Sequence, residues 1–234
     1  MVKLLALKVP SVISQNNYSL LLSSLTNEER LLINTFNSTQ DAYRSLLAKV
    51  MVRCELSNRF DLAVNEIRIS SNKYGKPLLE GLTFFFNVSH SEEWVVAAFD
   101  DEPIGIDIEK IQPIDYLKIA NRFFSREEYT DLIATTPDQQ LQYFYDLWTL
   151  KESYVKQIGL GLKMPLNTFS IRKANTCCFE FAGKMPNYFS GPCFHQYNVI
   201  PQYCISVCAS KQAFPKTIDF IGIEMLTNVL NRHY

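Results

Sequence analysis

The sequence predicts an α+β protein of two similar, pseudo-symmetric lobes, each a small, mainly antiparallel sheet packed against a long helix. Two long helical patterns carry the symmetry. One opens at Ser38-Thr39-Gln40-Asp41 and the other runs from about 137 to 158, and strand, turn and hairpin patterns follow each in the same order. A third observation marks the divide. Ile104-Gly105-Ile106-Asp107-Ile108-Glu109 alternates isoleucines with Gly, Asp and Glu, the period-two pattern of a half-buried strand, and opens the second series. The lobes span residues 1–103 and 104–221, with residues 222–234 as a C-terminal tail.

Composition narrows the class. With 47% hydrophobic and 20% charged residues over a length of 234, the chain matches ordinary soluble globular proteins. Its formal net charge of -1 gives no global attraction to nucleic acid or an anionic membrane, so neither is expected as a partner, and phosphate binding must come from a local cluster. No stretch reaches the roughly 18 apolar residues of a membrane-spanning helix. Lys8 and Pro10 interrupt the first apolar run before it could act as a secretion signal. The cysteines, Cys54, Cys177, Cys178, Cys193, Cys204 and Cys208, show no C-x-x-C pair and no zinc spacing, which fits free thiols in a reducing cytoplasm.

In chain order, residues 2–9 read as a strand and 19–25 as a helix. Thr26-Asn27-Glu28-Glu29 carries a capping box that opens a short helix through Phe36. The helix capped at Ser38 bears the stripe Tyr43, Leu46, Leu47, Val50, Cys54, flanked by Arg44 and Ser45. A strand at 66–70 leads to the turn Asn72-Lys73-Tyr74-Gly75-Lys76-Pro77. Strands at 84–89 and 94–99 form a hairpin around His90-Ser91-Glu92-Glu93. Beyond the dividing strand come a helix from 114 to about 124, another opening at Ser125, and the long helix, ended by Gly159. Its stripe reads Leu141, Tyr145, Trp148, Glu152, Val155. Strands at 168–173, 178–182, 193–199 and 203–209 complete the second lobe.

Asp107 and Glu109 share one strand face, where two ionised carboxylates repel unless a cation lies between them or one keeps its proton. A hard divalent metal satisfies that condition; an acidic face turned to solvent is the plainer alternative. Gly105, just before the pair, leaves room for close approach of a ligand. Glu152 interrupts an apolar stripe and needs a cationic partner there, which Lys156 would supply as an i,i+4 pair. Ser89 and His90 do not form a hydrolase dyad, because neighbours on a strand point to opposite faces and no G-x-S-x-G elbow is present.

Five segments in order are Tyr74-Gly75-Lys76-Pro77, Phe86-Asn87-Val88-Ser89-His90-Ser91, Gly105-Ile106-Asp107-Ile108-Glu109, Phe124-Ser125-Arg126-Glu127-Glu128-Tyr129 and Leu147-Trp148-Thr149-Leu150-Lys151-Glu152-Ser153-Tyr154-Val155-Lys156. Together they resemble the 4'-phosphopantetheinyl transferases, specifically the two-lobed, surfactin-synthetase-activating type that modifies carrier domains of peptide and polyketide synthases. The resemblance runs from residue 41 to about 209. It implies transfer of the phosphopantetheine arm of coenzyme A to a serine of an acyl or peptidyl carrier protein, with release of adenosine 3',5'-bisphosphate, in nonribosomal peptide and antibiotic synthesis.

The same resemblance implies Mg²⁺ held by Asp107, Glu109 and Glu152, with Glu152 as base toward the serine and Lys156 steadying the departing phosphate. It implies coenzyme contacts from Arg44, Ser45, Tyr74, Gly75, Lys76, Pro77, Ser89, His90, Asp107 and Lys156, with His90 on the 3'-phosphate. The first lobe is then the coenzyme side and the second the metal side of a monomer. One departure stands out. Family members often carry basic residues just before the first-lobe helix, where this chain reads Glu28-Glu29-Arg30-Leu31-Leu32, leaving Arg44 or Lys73 to compensate. Residues 111–124 are the expected carrier-docking region. Two rival readings stand beside it: a Mg²⁺-dependent phosphohydrolase using the same carboxylates, and a coenzyme A-binding interaction module that would bind without needing Glu152.

Overall fold

The structure, a computed structural model, describes residues 1–173, 179–183 and 191–232; Cys177 and Cys178, the latter the first residue of the strand expected at 178–182, lie outside them. The chain begins with strand β1 (Lys3–Lys8) and continues through helices α1 (Gln15–Ser23), α2 (Asn27–Ile33) and α3 (Thr39–Phe60). Caps decide where these helices start. The Ser14 hydroxyl accepts from the Asn17 N–H, so α1 begins ahead of the expected residue 19. Thr26 and Glu29 make the reciprocal capping box of α2. That helix stops at Ile33 rather than Phe36 because the Thr35 and Phe36 N–H groups turn to carbonyls three residues back and tighten the last turn.

Two hairpins follow, β2 (Ile69–Ser71) with β3 (Pro77–Leu79) and β4 (Phe85–Ser91) with β5 (Trp94–Asp100). The strand expected at 66–70 starts late, since the Glu66 carboxylate accepts from the Ala63 N–H at 2.9 Å and curls residues 64–66 into a 3-10 turn. His90 and Ser91, expected at the hairpin corner, belong to β4, and the turn is Glu92-Glu93. Strand β6 (Ile104–Lys110) opens the second series of α4 (Tyr116–Phe123), α5 (Arg126–Ala134), α6 (Pro137–Ile158), β7 (Phe169–Lys173), β8 (Phe179–Gly183), β9 (Cys193–Tyr197) and β10 (Tyr203–Ala209), and β11 (Asp219–Ile221) and α7 (Ile223–Arg232) end the chain.

Strict alternation along the strands builds four layers. In the sheet β11-β1-β5-β4, Leu5, Leu7, Val95, Ala97 and Phe99 face α3, while Leu4, Ala6, Val96 and Ala98 face the second sheet. In the sheet β6-β10-β9, Ile104, Ile106, Ile108, Ile205 and Val207 meet the first sheet, and Cys204 and Cys208 face α6. The order is therefore α3, sheet, sheet, α6. Each half follows the same path: β1 pairs β5 and β5 pairs β4, as β6 pairs β10 and β10 pairs β9, all antiparallel, with a long helix and a small hairpin in between. Residues 219–232 return to the first half rather than staying with the second lobe and tail. β11 pairs parallel with β1, and Leu226, Val229 and Leu230 of α7 bury in the α3 cluster.

The two sheets meet along β4 and β6, each the edge of its own sheet. Among the described residues no backbone ladder joins them, and the polar residues of β4 do so instead. Asn87 Oδ1 accepts from the Ile106 N–H at 2.9 Å, Ser89 donates to Asp107 at 2.8 Å, and Ser91 donates to Glu109 at 3.0 Å and accepts from the Lys110 N–H at 3.1 Å. Period two on both strands makes this stitching possible, and it satisfies edge donors that would otherwise be buried unpaired.

Gly105 has a role other than ligand access. A Cβ there would stand 2.0 Å from the Ser153 carbonyl oxygen and 2.4 Å from the Gln157 nitrogen, so it is the backbone of α6 that approaches. Gly105→Ala should lower stability by about 3 kcal/mol, read as a drop in the urea midpoint, because β6 and α6 must part to admit the methyl. An unchanged midpoint would contradict this packing.

Candidate active site

The seam between β4 and β6 opens into a cleft made of two adjoining cavities, of about 540 and 680 Å³. They share Pro77, Val88, Trp148, Glu152 and Lys156. Ser45, Ser89, His90, Asp107 and Glu109 line the first cavity, and Tyr74, Gly75 and Lys76 the second. Of the residues singled out from the sequence, Gly105 and Lys73 line neither, nor does Arg44. Its guanidinium donates to the Glu92 carbonyl at 2.6 Å and pairs with Asp41, close enough for its charge to act on His90.

Asp107 is buried beneath this cleft. Its Oδ1 accepts from Lys156 Nζ at 2.6 Å and from the Ser89 hydroxyl at 2.8 Å, and Lys156 also donates to Ser89 at 2.8 Å. Its Oδ2 is buried with no hydrogen-bond partner among the described residues. Lys156 thus pairs across to β6 and not with Glu152 along its own helix, and no ion pair to Glu152 forms among the described residues. Glu152 is half-buried and faces both cavities. Burial first, then the charge of Asp107, pushes its carboxyl above the usual carboxylate range. The same two causes, in the same order, push Glu109 up to about 7.

The rotation of α6 also differs from the expected stripe. Leu141, Trp148 and Glu152 are only half-buried, whereas Tyr145 and Val155 are buried. The deep face carries Lys151 instead, fully buried and donating to both oxygens of Glu128, at 2.7 and 2.6 Å, and to the Phe169 carbonyl at 2.7 Å. Glu128 accepts further from the Ser125 and Ile171 N–H groups, both at 2.8 Å. Every member of this network is paired, the condition under which a buried charge pair is tolerated. It pins α5 and β7 to α6 and so fixes which side chains of α6 reach the cleft.

Lys76 is another strut. Its ammonium donates to the carbonyls of Ile104, Lys156 and Gln157 at 3.2, 2.8 and 2.7 Å, closing the C-terminal turn of α6 onto the start of β6. Burial pulls its pKa down to about 8. These three hydrogen bonds commit the Lys76 ammonium to the protein. Asn72 shapes that turn, accepting from the Tyr74 and Lys76 N–H groups at 2.8 and 2.9 Å and donating to the Gly159 carbonyl at 2.9 Å. Gly75 takes a φ of 88°, and Gly159 one of 74°, where a Cβ would meet Lys76 at 2.5 Å.

His90 lies on the side of β4 that faces α3, with Phe86 and Val88. It is exposed by area, yet crowding by the cleft walls and then the charges of Arg44 and Lys156 hold it below the ordinary histidine value. Lys49 and Trp148 also wall the first cavity and were not read as site residues from the sequence. Lys49 could have been found as the residue one turn beyond Ser45.

A cleft that gathers cationic and crowded acidic side chains suits a charged ligand, and so defines a binding or catalytic site for one. The family comparisons sharpen that class. The family model of the 4'-phosphopantetheinyl transferase superfamily matches residues 103–208, and that of the 4'-phosphopantetheinyl transferase N-terminal region matches residues 13–102. The chain is 43% identical over 216 residues to 4'-phosphopantetheinyl transferase Sfp of Bacillus subtilis (strain 168), covering 92% of this chain and 95% of that one. It is 40% identical over 176 residues to 4'-phosphopantetheinyl transferase gsp of Aneurinibacillus migulanus, covering 75% and 73%. The chain belongs to the 4'-phosphopantetheinyl transferases.

The electrostatics of the seam have a signature in stability. Folding raises the Glu109 pKa from 4.5 to about 7, so the stability this group supports is present below 4.5 and lost as pH rises through about 7. Glu109→Gln should flatten the pH dependence between 5 and 8 by about 1–3 kcal/mol, measured in urea without divalent cations. Parallel curves for the two proteins would contradict the crowding.

Proposed function

We propose that the protein transfers the 4'-phosphopantetheine arm of coenzyme A to a serine hydroxyl of a carrier protein, releasing adenosine 3',5'-bisphosphate. One observation carries the site assignment: a carboxylate with a raised pKa, Glu152, and a cation, Lys156, stand at the junction of two cavities directly above buried Asp107. Names of relatives support the reaction. The adenosine end occupies the first cavity, its 3'-phosphate beside His90, Ser45 and Ser89. The arm leads past the Tyr74-Gly75-Lys76-Pro77 backbone into the second.

Glu152 takes the proton from the serine hydroxyl. The serine oxygen then forms a bond to the phosphorus that bears the pantetheine arm, while the pyrophosphate P–O bond breaks and its electron pair leaves with the bisphosphate. Lys156 stabilises the charge that develops on the departing phosphate. Arg44 adds positive potential from the rim.

Asp107, Glu109 and Glu152 are the residues we assign to Mg²⁺. The unpartnered Oδ2 of Asp107 and the raised carboxyls of its two neighbours leave a surplus of negative charge that a hard cation would relieve. Among the described residues no three His, Cys, Asp or Glu side chains form a ready cage. Mg²⁺ does not require all three at once, since one or two of these carboxylates suffice when water and substrate phosphate complete its shell. When bound, it supplies charge neutralisation at the pyrophosphate.

The matching strand order of the two halves supports reading residues 1–103 and 104–221 as pseudo-symmetric lobes, coenzyme-binding and metal-binding, with 219–232 packed back on the first. Ile114 and Leu117, exposed before and within α4, supply apolar contact for the carrier in region 111–124. No helix among the described residues is long and apolar enough to cross a membrane. We take the protein to act as a cytoplasmic monomer on carriers of peptide and polyketide synthases.

Mass spectrometry of a carrier domain incubated with the protein, coenzyme A and Mg²⁺ tests this directly. The carrier should gain one phosphopantetheine, and chelation of the metal or Glu152→Gln should slow the gain by about a hundredfold or more. Hydrolysis of coenzyme A with unmodified carriers would identify a phosphohydrolase instead, and binding without turnover an interaction module.

A further inference from the structure

The helix that precedes α3 offers no free cation to the first cavity. Arg30 donates to the Ser23 carbonyl at 2.6 Å, and Leu31 and Leu32 stand exposed beside it. The other basic groups nearby are likewise engaged. Arg53 holds Glu29 at 2.7 Å and the Ile67 carbonyl at 3.3 Å, Arg44 holds Asp41 and the Glu92 carbonyl, and Lys156 holds Asp107 and Ser89. Lys73 lies over the Tyr74 ring, outside the lining of the first cavity.

Lys49 is different. It lines the cavity, and among the described residues its ammonium makes no hydrogen bond; its one ionic partner is Glu29 Oε1, at 3.6 Å. Glu29 is itself divided, since its Oε2 accepts from Arg53 and from the Thr26 N–H at 3.1 Å. Against the upward push of burial, Arg53 holds that carboxyl below its usual range, so Glu29 stays charged and keeps Lys49 facing the cavity. Ser45 and Lys49 are one turn apart on α3, about 6 Å along the axis, and both line the cavity that His90 closes from β4.

We infer that Lys49 is a specificity determinant for the 3'-phosphate of coenzyme A, gripping it from α3 together with Ser45 and His90. This deepens the proposed function and rests on it. A phosphate monoester carries about −1.5 to −2 charges at neutral pH. His90, held below its ordinary value by the cleft, brings little charge of its own before a ligand arrives, so the permanent cation must come from another residue. Among the described basic residues that line this cavity, Lys49 is the one whose ammonium makes no hydrogen bond.

Isothermal titration of the intact protein with adenosine 3',5'-bisphosphate and with adenosine 5'-monophosphate tests the assignment without any chemistry. The unmodified protein should prefer the bisphosphate by tenfold or more. Lys49→Met should lose about tenfold toward the bisphosphate and less than about twofold toward the monophosphate, and Lys49→Arg should retain most of the preference. Equal losses on both ligands, or a preference that survives in Lys49→Met, would overturn the role of Lys49. Failure of the unmodified protein to bind either nucleotide would overturn the coenzyme reading beneath it.

Discussion

A charge held away from water is the constraint on which the site depends. Asp107 belongs to an edge strand that had to be covered, and covering it put a carboxylate inside the protein. Half of the carboxylate is satisfied by Lys156 from α6 and Ser89 from β4, elements of opposite halves of the chain. The other half is left without a protein partner among the described residues. Fold and proposed function meet there, because the unpartnered oxygen that costs stability is the one we assign to Mg²⁺.

Reaching Asp107 from α6 requires that helix and strand nearly touch, which explains Gly105 two residues earlier on the same face. It also requires α6 to be rotated correctly. The buried Lys151–Glu128 pair sets that rotation from the deep side and Lys76 from the C-terminal end, so that residues 148, 152 and 156, one turn apart, line the cleft. Removing one partner of such a buried pair typically costs about 3–5 kcal/mol, far more than an exposed pair contributes. Lys76 and Lys151 therefore act on the site at one remove, by holding the helix that carries Glu152 and Lys156.

Much of this was legible in the sequence. The alternation of 104–109 gave the strand and the shared face of Asp107 and Glu109, the capping box at Thr26 gave the start of α2, Ser125 that of α5, and Gly159 the end of α6. What escaped was long-range. A period of 3.6 cannot say which of two adjacent charged residues turns inward, so Glu152 was assigned to the deep stripe that Lys151 occupies. The partner of Lys156 lies 49 residues away, beyond any local rule, and a local i,i+4 pair was expected in its place. A glycine that admits a helix looks, in sequence, like one that admits a ligand. The return of residues 219–232 to β1 and α3 is a matter of topology that no periodicity records.

The most direct test of the central claim is the rate of carrier modification by Asp107→Asn, an isosteric change that keeps the shape of the seam and removes its charge. The account predicts a loss of kcat/KM of about a hundredfold or more at saturating Mg²⁺, with the circular-dichroism spectrum unchanged. Transfer at close to the unmodified rate would show that the cleft does not depend on this buried charge.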